Sequence, residues 1–121
     1  MRDWVQPGKG GPHFYLSIHF EAGGLRALVA ALGLAGFTVE RRADLDRYVR
    51  HWVAVDVHDA KLELESHHCE QGDAALPLLA HLASALRVSG WRAVGAGDGY
   101  APVEAGQGDH AALCRYLDLP A

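Results

Sequence analysis

The sequence predicts an α+β fold, a two-layer sandwich in which two helices cover one face of a mostly antiparallel sheet in the ferredoxin-like manner. Three observations carry this reading. Residues 13–21 and the neighbouring segments 51–58 and 61–69 alternate apolar and polar side chains, the period of a half-buried strand. Leu25, Leu28, Val29 and Leu32, and later Leu76, Leu79, Leu82, Ala83 and Leu86, recur at helical spacing. The resulting order, β-α-β-β-β-α-β, supplies two helices with one apolar stripe each, enough to cover a single face of the sheet.

Taken in order, residues 1–12 form a leader, because Gln6 to Pro12 combines two prolines with three glycines and offers nothing to bury. Residues 13–121 form a single domain. In the first strand Phe14, Leu16, Ile18 and Phe20 share one face, and His13, Tyr15, Ser17, His19 and Glu21 the other. Gly23-Gly24 ends it, and a helix over 24–35 follows, with Gly36 placed as a left-handed C-terminal cap. Residues 37–42 are β-rich and read as a second strand. Residues 43–50 intersperse Arg47 and Arg50 with Asp44 and Asp46, which fits either a solvated loop or a single helical turn. Only Asp59-Ala60 separates 51–58 from 61–69, the mark of a tight hairpin. A second helix spans 75–88 with Pro77 in its first turn. Residues 91–94 supply a last strand, 95–108 a long glycine-rich loop, and Asp109 the N-cap of a short terminal helix turning Leu113, Tyr116 and Leu117 inward.

At 121 residues the chain has room for one core, and a net charge of −4 selects neither nucleic acid nor any other charged partner. No apolar run approaches the ~18 residues of a membrane span, and the first residues do not resemble a signal peptide, which predicts a soluble, cytoplasmic protein with no membrane partner. Cys69 and Cys114 cannot form a disulfide scaffold and read as free thiols.

Counting back from Asp59-Ala60 sets the hairpin register. His58 faces Lys61, Val57 Leu62, Asp56 Glu63, Val55 Leu64, Ala54 Glu65 and Trp52 His67. The valines and leucines then face the helices, while Trp52, Asp56, His58, Glu63, Glu65 and His67 occupy the open face. Asp56 opposite Glu63 requires a cation, a shared proton or screening by water. With the first strand alongside, Tyr15, Ser17 and His19 join that surface. The leading reading is a binding or regulatory, inhibitor-like module with no catalytic residues and no cofactor. It contacts a protein partner, or a second copy of itself, through Tyr15, Trp52, Asp56, Glu63 and Glu65, because an exposed aromatic ringed by carboxylates has the composition of an interface centre. The alternative is a metal-binding protein or small metal-dependent enzyme, in which His19, Asp56, His58, Glu63 and His67 hold a divalent ion such as zinc.

Other motifs are weaker. His67-His68-Cys69-Glu70 cannot gather on one ion while alternating along a strand, and the glycines 95–99 are not followed by the helix that a phosphate cradle needs. Arg41, Arg42, Arg47 and Arg50 are diluted by Asp44 and Asp46. In element order, from the strand HFYLSIHF through a helix, GFTVE, WVAVDV, a second helix and a terminal Gly-Trp, the chain resembles the small bacterial ribonuclease E inhibitors of the B type. That resemblance implies a ferredoxin-like fold and action by binding an enzyme. The chain departs from it where the family closes on Tyr-Asp-Gly-Trp, since Ser89-Gly90-Trp91-Arg92 stands here.

Overall fold

The computed structural model describes residues 13–67, 73–96 and 102–119. Seven strands, β1 (His13–Phe20), β2 (Thr38–Arg41), β3 (Asp46–Arg50), β4 (Val53–Val57), β5 (Lys61–Ser66), β6 (Val88–Ala96) and β7 (Pro102–Gly108), form one antiparallel sheet in the order β2-β3-β4-β5-β1-β6-β7. Helices α1 (Leu25–Leu32), α2 (Leu76–Ala85) and α3 (His110–Leu117) accompany it, and a 3-10 turn over Asp73–Ala75 leads into α2. Alternation in the sequence determines which face the helices cover. Phe14, Leu16, Ile18 and Phe20 of β1, Val53, Val55 and Val57 of β4, and Leu62 and Leu64 of β5 are buried. They share one core with Leu25 and Val29 of α1, Leu78, Leu79 and Leu82 of α2, and Leu113 and Leu117 of α3.

Each outer part of the sheet is tied in by a specific contact. Helix α1 lacks an N-capping side chain of its own. Asp59, in the β4–β5 turn, substitutes for one: its carboxylate accepts from Gly24 N at 3.0 Å and its carbonyl from Leu25 N at 2.9 Å. That approach requires the two glycines, since a Cβ on Gly23 would stand 2.6 Å from the Asp59 carboxylate and Gly24 has φ +89°. The β2–β3 hairpin is anchored by Asp46, 2% exposed, whose carboxylate pairs with Arg26 of α1 at 2.8 Å and Arg41 of β2 at 3.1 Å. Arg26 also donates to the carbonyls of Arg42 and Ala43, closing the connection between the two strands.

The α+β class and the antiparallel sheet agree with the sequence reading, but the sheet is larger than the small two-helix sandwich expected. Residues 46–50 are a strand and not a loop or helical turn, because pairing with β2 and β4 and the partners of Asp46 make a buried carboxylate tolerable there. Strand β4 begins at Val53, so His51 and Trp52 form a two-residue turn between β3 and β4. Gly33 (φ +74°) and not Gly36 caps α1, and α2 ends at Ala85, so that β6 begins at Val88. Strand β7 replaces most of the expected loop: Gly106 and Gly108 have positive φ, and a Cβ on Gly106 would collide with the Trp91 ring. Asp109 does cap α3, accepting from Ala112 N at 3.2 Å. Residues 1–12, His68, Cys69, Glu70 and the glycines around 97–99 lie outside the described residues.

Two stability outcomes follow. Replacing Asp46→Ala leaves Arg26 without its buried partner and costs about 2–4 kcal/mol, whereas Arg41→Ala, at a mostly exposed guanidinium, costs under about 1 kcal/mol. Chemical denaturation measures both as shifts in midpoint. Gly106→Ala combines a left-handed backbone with overlap on Trp91 and lowers stability by about 2–4 kcal/mol in the same assay.

Candidate binding face

Burying one set of alternating residues sends the other set to the opposite face. Ala54 and Asp56 of β4 and His58 just past its end point there, with Lys61, Glu63 and Glu65 of β5 and Tyr15, Ser17 and His19 of β1. Strand β2 adds Thr38 and Glu40, β3 adds Arg47 and Val49, and β6 adds Arg92 and Val94. The β4–β5 register is the one counted from the turn: Asp56 faces Glu63, Ala54 faces Glu65, and His67 N donates to Trp52 O at 3.0 Å. Strand β1 does lie beside β5, with Tyr15 opposite Glu65, Ser17 opposite Glu63 and His19 opposite Lys61. Tyr116 of α3 packs against the core rings of Phe14 and Trp91, which puts the terminal helix on the covered side and leaves this face open among the described residues.

The Asp56/Glu63 opposition is relieved by neighbouring side chains. Arg47 grips Asp56 bidentately, Nε on Oδ1 and Nη2 on Oδ2, both at 2.8 Å. Glu63 accepts from the Tyr15 hydroxyl at 2.7 Å and pairs with Lys61 at 2.9 Å and His58 at 3.1 Å. Those partners hold the Glu63 carboxyl below its usual range, the Tyr15 hydrogen bond first, against the opposing effect of burial. Burial, then the Glu63 carboxylate, pushes the Tyr15 phenol up to about 12. The five residues proposed as metal ligands are therefore spread over the face. His58 serves Glu63, Asp56 is engaged by Arg47, exposed His19 stands across from Lys61, and His67 lies 3.6 Å from Glu65. Among the described residues no three His, Cys, Asp or Glu side chains gather around a common point that could hold an ion.

Trp52 sits in the turn at one corner of the face, 56% exposed, with its ring 6.3 Å from His67 in an edge-on arrangement. Its turn neighbour His51 has φ +49°, a left-handed conformation uncommon outside glycine. Trp52, Val49, Ala54, Arg47, Glu65 and His67 line a shallow groove of about 270 Å³ there. A larger apolar groove of about 500 Å³ opens on the helix side, between Leu32, Leu34 and Ala35 and Ala74, Pro77 and Leu78, and His81 also lines it. Arg47, Val49, His51 and Lys61 were absent from the sequence-derived site. Asp46-Arg47-Tyr48-Val49-Arg50 lacks the apolar–polar alternation of 53–57, so only its pairing with β4 turns Arg47 and Val49 onto this face. In comparisons with known proteins, no family model, no curated protein and no solved structure matches the chain.

The paired Tyr15 and Glu63 give a pH signature. Glu63, whose folded carboxyl titrates below its unfolded value, contributes stability above the ordinary carboxylate range that is lost as pH falls through the lowered value. Tyr15 contributes stability that is full below about pH 10 and lost as pH rises toward about 12. Ultraviolet titration of tyrosinate is expected to show a late-ionising phase from Tyr15. Tyr15→Phe removes that phase, flattens the alkaline loss of stability between pH 10 and 12, and costs about 1 kcal/mol at neutral pH.

Proposed function

We propose that this protein is a non-enzymatic binding module, regulatory or inhibitor-like, that engages a protein partner through the open face of its sheet, with Trp52 as anchor and Tyr15, Asp56, Glu63 and Glu65 around it. The observation that carries the reading is Trp52 itself. An indole left 56% exposed at a hairpin tip, beside exposed Val49, on a turn where His51 takes a left-handed conformation, departs from what stability alone selects. Tryptophan is also the residue type most enriched among binding anchors. The groove beside it has room for a side chain or two, less than a drug-sized ligand requires. The carboxylates act in this reading through the pairs they already form, Arg47–Asp56 and Lys61–Glu63, which fix the shape of the face without leaving an unpaired charge to be buried.

Three broader features accompany the reading. Strands β4, β5, β1 and β6 with α1 and α2 have the strand order of a ferredoxin-like unit, enlarged by the β2–β3 hairpin on one side and by β7 and α3 on the other. Cys114 is a buried free thiol, as suits a reducing compartment such as the cytoplasm. No described helix is long and apolar enough to cross a membrane.

A photo-crosslinking amino acid placed at position 52, and separately at His81 on the helix side, tests the face directly in cells. Protein adducts are expected from position 52, adducts to the chain itself included, and few from position 81. Equal yields from the two positions, or none from position 52, would overturn the proposal.

A further inference from the structure

We infer that the occupant of the open face is the same face of a second copy of this chain, an inference that rests on the reading of that face as a binding surface. Size is the first argument. Seven strands spaced ~4.8 Å apart and about six residues long present a flat area of roughly 700 Å² before side-chain relief is added. That is comparable with the ~800 Å² each partner contributes to a standard stable interface.

Charge is the second. Among the described side chains, Arg47, Lys61 and Arg92 stand on the face with the carboxylates of Glu40, Asp56, Glu63 and Glu65, three positive charges against four negative. The largest clusters are closed among themselves, Arg47 on Asp56 and Lys61 on Glu63. A surface of one sign would select a partner of the other, whereas a face already neutralised in place meets its own copy without repulsion. Exchange under a two-fold axis is the third. Trp52 and Val49 lie together at one corner, and an isologous contact uses every feature twice, so one corner per chain supplies two anchors at opposite ends of the shared surface. Two sheet faces about 10 Å apart, their strands aligned to within about 30°, would form the joint layer.

Light scattering and sedimentation equilibrium on the full chain decide the matter. The expected result is a mass twice that of the chain, with self-association weakened about tenfold or more by Trp52→Ala and by Val49→Arg. Circular dichroism and melting confirm that each variant folds, and Val49→Arg, at an already exposed side chain, stands in should Trp52→Ala not fold. Val39→Arg, on the exposed edge strand β2, is expected to leave the dimer intact. A wild-type chain that stays monomeric at its highest soluble concentration overturns the inference while leaving the crosslinking test of the face to stand or fall alone. A dimer that survives both open-face substitutions, or that is lost with Val39→Arg alone, also overturns it, because the copies would then meet elsewhere.

Discussion

The structure depends on the pairing of β1 with β5 on one side and β6 on the other. This places the strand with the clearest alternation at the interior of the sheet, and Leu16 and Ile18 beside Leu62 and Leu64 beneath the helices. Strand side chains have a period of two, so burying these residues leaves the neighbouring positions no choice of face. Tyr15, Ser17 and His19 must point away from the helices, and so must Lys61, Glu63 and Glu65 across from them. All three helices contribute to the same core, and the opposite face is as much a product of hydrophobic burial as the core is.

That constraint creates an electrostatic problem and constrains its solution. Two carboxylates are forced opposite each other at Asp56 and Glu63, and neither can turn away without breaking the alternation that buries Val55, Val57, Leu62 and Leu64. Relief comes from adjoining strands: Arg47 arrives from β3, Tyr15 from β1, and Lys61 from two residues earlier on β5. A cation is thus present, as the repulsion demands, but it is a guanidinium and an ammonium of the chain itself. The opposition is thus met within the sheet by side chains of neighbouring positions.

Elsewhere the chain follows its local preferences closely enough that the exceptions are informative. Asp46 is buried, but two arginines pair with it and so join α1 to the outer hairpin. Gly23 and Gly24 break the helix start, but they admit the Asp59 carboxylate that caps it. For these two departures the compensating contact is plain within the fold. At His51 and Trp52 a turn residue of positive φ adjoins an exposed indole that meets His67 edge-on.

How much of this was legible depended on whether a segment's partners are local. The β4–β5 hairpin, its register and the division of its side chains between two faces were readable from the sequence, since a two-residue gap between alternating segments determines all three. The capping of α3 by Asp109 and the inward turn of Leu113 and Leu117 were readable for the same reason, being decided within one helical turn or two. Strands β3 and β7 were not. Asp46 looks like a loop residue until Arg26, twenty residues earlier, is brought beside it. The glycines of β7 likewise look like loop residues until the ring of Trp91 needs the space a side chain would fill. The relief of Glu63 was also settled by neighbouring strands, because alternation assigns a face but cannot say which side chains will meet across it.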